Sequence, residues 1–351
     1  MRKVGFEVDE RYLLGGIHHV TAITSSAQHI YEFFTNILGL QLAKLTVNQD
    51  DYETYHLYFT DENGAPGTDM TFFDFPNIPK GTKGTNNIDR VSFRVPTDAS
   101  LIYWLDRFEK AEVIHGAIDK RFGKSFLPFE DFDGQRYQLI SDEANVGVAG
   151  GIPWEKSNVD KAHAITGLGP VFVVVDDFEL IDLVLRDVLG FRNTADDGSY
   201  FLYEIGEGGS GGSIIIEVNT DETAAVQGYG NIHHLALRVK DQESLNYWIE
   251  RLKSVRLPDS GLVDRFYFQS EYFRAASQIL FELATDGPGF WVDEPKEVAG
   301  ESLSLPPHLF PGDEATKAKA AAALRPLDTS DANKARVDEW TISKIIGRPY
   351  K

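Results

Sequence analysis

The sequence predicts an α+β fold: four copies of one βαβββ module, paired into two half-barrel domains. Three observations lead there. Two short apolar runs open with a histidine pair, Ile17-His18-His19-Val20-Thr21-Ala22-Ile23 and Ile232-His233-His234-Leu235-Ala236-Leu237-Arg238. Two helical stretches close on a Leu-Gly step, at Leu38-Gly39-Leu40 and Leu189-Gly190-Phe191. Two more share an aromatic signature, Tyr103-Trp104-Leu105-Asp106-Arg107-Phe108 and Tyr247-Trp248-Ile249-Glu250-Arg251-Leu252. Self-similarity of this kind marks a repeated structural unit.

Each element of the unit can be justified in turn. The opening strand recurs without histidines at Ile88-Asp89-Arg90-Val91-Ser92-Phe93-Arg94 and Leu168-Gly169-Pro170-Val171-Phe172-Val173-Val174, so modules start near residues 14, 86, 165 and 230. Residues 27–40 and 180–191 read as amphipathic helices, and their glycines suit the left-handed residue that ends a helix. Each module should finish in strands, at 69–75, 136–141, 213–218 and 279–285, where β-branched and aromatic residues gather. A curved sheet with helices on one side leaves the other side open as a cup. The expected division is a first domain at 1–155 with modules one and two, and a second at 156–295 with modules three and four. Residues 145–162, rich in glycine and mixed charge, read as the linker. The remainder, 296–351, lies beyond the repeat. It reads as a tail with a helical run at 314–323 that packs over the body.

Composition bounds the function. At 351 residues, 42% hydrophobic and 25% charged, the chain suits an ordinary globular protein of two domains. A net charge of −20 argues against nucleic acid and against an anionic membrane surface. With no cysteine, disulfides, thiolate metal sites and cysteine nucleophiles are excluded. The first residues lack the apolar run of a signal peptide, and no stretch is long and apolar enough to span a bilayer, so a cytoplasmic protein is expected.

Alternation along a strand puts His19, Thr21 and Ile23 on one face, and His234, Ala236 and Arg238 on the matching face of the fourth module. The last strand there, Leu280-Phe281-Glu282-Leu283-Ala284, carries one carboxylate in an apolar run. Burying it bare is costly unless it is paired or bound to metal. Gln138 is its counterpart in module two, and Glu217 stands at a similar place in module three, where the opening strand has no histidine. Two histidines and one carboxylate form the facial set of non-haem Fe(II) oxygenases. The bland alternatives are hydrogen-bonded core histidines and a buried ion pair from Glu282 to Arg265 or Arg274.

At these residues the chain resembles the vicinal oxygen chelate superfamily of glyoxalase I, bleomycin-resistance proteins and extradiol dioxygenases. Within it, the chain looks most like the hydroquinone-type ring-cleaving dioxygenases. The most specific stretches are Gly16-Ile17-His18-His19-Val20-Thr21, residues 264–274 (Asp-Arg-Phe-Tyr-Phe-Gln-Ser-Glu-Tyr-Phe-Arg) and residues 280–290 (Leu-Phe-Glu-Leu-Ala-Thr-Asp-Gly-Pro-Gly-Phe). The resemblance spans residues 14–312. It implies an extradiol-type dioxygenase acting on a small aromatic substrate with dioxygen. It implies Fe(II), with Mn(II) or another divalent metal as an alternative occupant, held by His19, His234 and Glu282. It also implies roles around the substrate for His18, Thr21, His233, Arg265 and Tyr272. Tyr272 is the acid/base or hydrogen-bond donor, and Arg265 the stabiliser of negative charge. An ideal strand points His18 and His233 away from the ligand face, where they could orient the ligands. Phe72, Phe266, Phe268 and Phe273 are candidates to line the pocket. One departure from the family is the turn Ala275-Ala276-Ser277-Gln278, where proline and glycine are usual.

Two rival functions deserve a test. A glyoxalase-like isomerase or lyase would need a fourth ligand, and Asp74 in Thr71-Phe72-Phe73-Asp74-Phe75 could supply it. A non-catalytic small-molecule-binding protein of the same fold would lack the metal set. Gly206-Glu207-Gly208-Gly209-Ser210-Gly211-Gly212 has no P-loop lysine and reads as a flexible hairpin loop. His29, His56, His115, His163 and His308 carry no assigned role, and a homo-oligomer is left open.

Overall fold

The computed structural model describes residues 7–347. Module one runs β1 (Ile17–Ile23), α1 (Ala27–Glu32), β2 (Gln41–Asn48), β3 (Asp51–Thr60) and β4 (Asp69–Asp74). Module two runs β5 (Asn87–Val95), α2 (Asp98–Lys110), the short β6 (Ile114–His115) and β7 (Asp119–Arg121), then β8 (Lys124–Glu130) and β9 (Arg136–Ser141). Module three is β10 (Gly167–Val175), α3 (Phe178–Leu183), β11 (Arg192–Asp196), β12 (Tyr200–Glu204) and β13 (Ser213–Val218). Module four is β14 (Ile232–Val239), α4 (Gln242–Ser254), β15 (Val263–Asp264), β16 (Phe268–Ala276) and β17 (Ile279–Pro288).

The four helices begin the same way. Ser26, Thr97, Asp177 and Asp241 each accept a hydrogen bond from the backbone N–H three residues on, satisfying a donor the helix cannot. They end differently. α2 and α4 are regular helices of 13 residues. α1 and α3 stop after 6 and pass into π-helical turns at Phe33–Ile37 and Val184–Val188. Beyond these turns Gly39 and Gly190 sit at φ 75° and 82°. A Cβ at Gly39 would also collide with Ser157 and Val159, so glycine is required there twice over.

Hydrogen bonding divides the strands into two sheets. One has the order β15-β16-β17-β14-β1-β4-β3-β2, and the other β11-β12-β13-β10-β5-β9-β8-β6 with β7 beside β8. Modules one and four therefore share a sheet, and modules two and three share the other. Each sheet draws on both sides of the expected boundary at 155/156. Helices cover one face, where Phe34 meets Phe59 and Phe72, and where Trp104 and Trp248 are fully buried. On the opposite face of the first sheet a smaller apolar group forms from Ala43, Tyr58, Ala236, Tyr267, Phe268, Ala284 and Phe290.

Residues 206–212 are not a flexible loop. Ser210, Gly211 and Gly212 are buried, and a Cβ on Gly211 would press on Arg94 and Val148, so the glycines there reflect close packing. Arg94 pins the linker by donating to the carbonyls of Val148 and Ala149 and by pairing with Asp142. The tail, with α5 (Glu314–Ala323) and α6 (Ile342–Ile346), lies against the body. Arg336 donates to Tyr31 Oη at 2.6 Å, and Ile345 is buried. No helix among the described residues is long and apolar enough to cross a membrane.

Candidate metal centre

β1 and β14 run antiparallel at the middle of the first sheet, related by a pseudo-twofold axis. The register pairs His19 with Ala236 and Thr21 with His234. It slips twice, between Ile17 and His19 on β1 and between Thr21 and Ala22 opposite His234 and Ile232. Each slip is a β-bulge whose extra residue is the first histidine of a pair, His18 or His233. A bulge re-aims side chains. Thus Ile17, Val20, Ile232 and Leu235 enter the helix-side core, while His19 and His234 turn to the open face.

β17 lies parallel to β14 and aligns Glu282 with Ala236, bringing the carboxylate beside both imidazoles. His19 Nε2 and His234 Nε2 are 3.2 Å apart, and Glu282 Oε2 is 3.2 Å and 2.9 Å from them. All three side chains are buried. Among the described residues this is the histidine/carboxylate group whose ligand atoms converge closely enough to hold an ion. Arg265 and Arg274 do not pair with Glu282. Arg265 binds Asp50 at 2.9 Å, and Arg274 donates to the Gln278 carbonyl.

The surroundings fix which nitrogens are bare. Burial, reinforced by the neighbouring His19, pushes the His18 imidazole down to about 3, so it is neutral. Its Nε2 lies 3.0 Å from the Thr285 carbonyl and must donate to it. Its Nδ1 is then an acceptor, and His19 Nδ1, 2.9 Å away, must donate. His19 Nε2 is left as a lone pair facing Glu282. The second pair repeats the contact, with His233 Nδ1 2.8 Å from His234 Nδ1. Burial, with His234 next, likewise lowers His233 to about 3. Ser270 donates to Glu282 Oε1 at 2.5 Å, while Oε2 is buried without a well-directed hydrogen bond. An anionic oxygen without a donor, facing two imidazole nitrogens, is a donor set that a divalent cation completes.

Asp74 is not part of this set. In β4 the residues level with His19 and Thr21 are Asp69 and Thr71. Asp74 is three residues beyond Thr71 and has the opposite parity, on the helix side. It accepts from the Ala27 N–H at 3.1 Å and forms an ion pair with Arg325 of the tail. A fourth carboxylate ligand from this residue is therefore excluded. Glu217 also falls away from the matching place. Val174 aligns with Glu217, and Phe172, the counterpart of Ala236, aligns with Ile215.

A cavity of about 410 Å³ opens over the three ligands. Asn48, Gln49, Asp50, His56, Tyr58, Phe73, His233, Arg265, Phe268, Tyr272 and Leu280 complete its wall. Of the four phenylalanines expected there, Phe268 lines it. Phe72 and Phe273 face the core, and Phe266 stacks near His308. Phe73 was missed because alternation was not anchored to register; it shares the face of Thr71. Arg265 Nε donates to Tyr272 Oη at 3.1 Å, which leaves the tyrosine's own proton free. Burial, with the charge of Glu282 second, raises Tyr272 above its ordinary value, so it is a phenol and not a phenolate. His56, Tyr58 and Thr71 also went unassigned in the sequence. Their hydrogen bonds reach His234 through Thr21, whose Oγ1 is 3.0 Å from His234 Nε2.

Known proteins are similar to this chain in sequence and in fold. Residues 16–139 match the family model described as Glyoxalase/Bleomycin resistance protein/Dioxygenase superfamily. MhqA of Bacillus subtilis (strain 168), named a ring-cleaving dioxygenase, is 40% identical over 90% of this chain and 99% of its own length. The chlorohydroquinone/hydroquinone 1,2-dioxygenase of Sphingobium indicum is 31% identical over 84% of this chain and 92% of its own. Among solved structures, a dioxygenase from Bacillus subtilis superposes with TM-score 0.81 at 32% identity, covering 90% of this chain and 98% of that one. Glyoxalase I from Zea mays superposes with TM-score 0.52 at 13% identity, over 77% of this chain and 92% of that one, a likeness of fold alone.

Proposed function

The chain belongs to the ring-cleaving dioxygenases of the glyoxalase/bleomycin resistance protein/dioxygenase superfamily, and we propose that it opens the ring of a hydroquinone or a related dihydroxylated aromatic with an Fe(II) held by His19, His234 and Glu282. The observation that carries this reading is the convergence of three buried ligand atoms, one histidine tautomer locked by the Thr285 carbonyl, under a cavity sized for a single ring. One relative, named a chlorohydroquinone/hydroquinone 1,2-dioxygenase, supports the substrate class.

When bound, the iron would supply Lewis acidity toward a substrate hydroxyl and an electron path between ring and dioxygen. The protein does the rest. Phe73 and Phe268 form apolar walls for the ring and exclude water. Tyr272, with its oxygen occupied by Arg265 Nε, directs its proton into the cavity as a donor to a substrate oxygen. Arg265 lines the same wall and offsets negative charge that develops there. His18 and His233 hold the ligand rings through their Nδ1 contacts.

The test is oxygen uptake after anaerobic loading with Fe(II), offering hydroquinone, methylhydroquinone and catechol in parallel, with His234→Ala as control. Uptake that depends on Fe(II), gives a ring-opened product and disappears in the variant is expected. A protein that binds one metal per chain yet consumes no oxygen with any of these rings would refute the proposal.

A further inference from the structure

Four buried hydrogen-bonding groups run in line from β3 to the metal centre. Tyr58 Oη is 2.8 Å from His56 Nδ1, and His56 Nε2 is 2.8 Å from Thr71 Oγ1. Thr71 Oγ1 is 2.7 Å from Thr21 Oγ1, which is 3.0 Å from His234 Nε2. Sheet register places them together. β3 aligns Tyr58 with Thr71, and β4 aligns Thr71 with Thr21. No member is more than 9% exposed.

The chain has a direction. Tyr58 Oη has no other hydrogen-bond partner among the described residues, so its proton has one acceptor, His56 Nδ1. Burial holds His56 well below its ordinary value, and a neutral imidazole that accepts at one nitrogen donates at the other. His56 Nε2–H therefore goes to Thr71, the Thr71 proton to Thr21, and the Thr21 proton toward the centre. Reversing it would strand the Tyr58 proton in a buried site without an acceptor.

We propose that Tyr58, His56, Thr71 and Thr21 form a one-way relay that locks Thr21 as a donor at the metal centre, making His56 a positioning residue that favours the ionised form of the bound substrate hydroxyl. Once a cation uses the His234 Nε2 lone pair, the Thr21 proton needs another acceptor. The oxygen that the substrate brings to the ligand face is available, and a donor that cannot turn into an acceptor stabilises that oxygen as an anion over a hydroxyl. This inference rests on the ring-cleaving reading above, and it names residues that reading does not use. The other titratable groups around the relay are Asp69 and Tyr267 beside Tyr58, and Asp50, Arg265, Tyr272 and His233 on the cavity wall. They are unchanged in the variants below, so they cancel from the comparison.

The experiment needs no turnover. Nitrohydroquinone, whose neutral and ionised forms differ in colour, is titrated with pH against the anaerobic Fe(II)-loaded protein, in wild type, His56→Phe, Thr71→Val and His56→Gln. Metal content and melting temperature are recorded for each. The pKa of the bound probe should rise by about one unit in His56→Phe and Thr71→Val. It should return most of the way in His56→Gln, whose amide can accept from Tyr58 and donate to Thr71. Binding with the same probe pKa in folded, metal-loaded His56→Phe as in wild type overturns the relay alone. No binding of the probe by metal-loaded wild type overturns the ring-cleaving reading and the relay with it.

Discussion

Thr71 stands across the pseudo-twofold axis from Glu282. Each is level with the residue two after its module's ligand histidine, Thr71 with Thr21 and Glu282 with Ala236. The first sheet thus carries two equivalent histidines but one carboxylate. A hydroxyl where a second carboxylate could stand leaves the ligand shell open on that side, as an oxygenase requires and a four-ligand isomerase does not.

Asp74→Asn should leave metal stoichiometry at the wild-type value and lower stability. The variant removes the partner of Arg325 and weakens the acceptor for Ala27 N–H in a buried place. A loss of about 2 kcal/mol is expected, read from urea unfolding. Glu282→Gln should do the reverse, with little loss of fold and loss of the bound metal.

His18→Ala should weaken metal binding about 10–100-fold in a chelator competition. The variant removes the acceptor that keeps the His19 proton on Nδ1. A metal affinity equal to wild type would mean that the tautomer is held by something else.

Tyr272→Phe should reduce kcat about 10–100-fold at unchanged metal content, because the cavity loses a proton donor but little volume. Steady-state oxygen uptake with hydroquinone measures it. An unaltered kcat would remove Tyr272 from the chemistry.

Glu271 is not on the cavity wall; its charged neighbours are Asp259 and, on α4, Lys253 and Glu250. Burial, then the nearby Asp259, pushes its carboxyl up to about 8 from an ordinary 4.5. The folded state therefore binds this proton more tightly than the unfolded one. The stability it contributes is fully present below about pH 4.5 and lost as pH rises through about 8. Wild type should lose roughly 2–5 kcal/mol across that window. Glu271→Gln should flatten the profile and be the more stable protein at pH 8 in thermal unfolding.

The turn between β16 and β17 holds Ser277 at φ 37°, in the left-handed region. This is the stretch that lacks the usual glycine. Ser277→Gly should raise stability by about 1 kcal/mol, as a shift in urea midpoint without a change in slope.

Much of the site was legible because the chain repeats itself. His19 and His234 stand out as the same position in two copies, and Glu282 as a lone carboxylate in an apolar strand. Asp74, the fourth ligand of the rival reading, falls away because register decides, and one odd step from Thr71 changes the face. The bulges at His18 and His233 leave no mark in local composition, so ideal alternation sent those rings away from the ligands they touch. His56 and Tyr58 sit on a strand with no matched motif. Their place emerges when β3 is laid against β4. The glycines at 206–212 looked like slack, and only the packed neighbours of Gly211 reveal them as a tight seam.

His19 and His234 are 215 residues apart along the chain, yet their strands are neighbours at the centre of one sheet. During synthesis β1 emerges early and has no partner on that edge until β14 and β17 follow. Contacts of such long range form late and slow folding. The His19, His234 and Glu282 cluster is thus absent from every partial product that ends before Glu282. A truncated or stalled chain would present a lone histidine pair, too weak a claw to retain a redox-active metal, so loading is tied to completion of the fourth module.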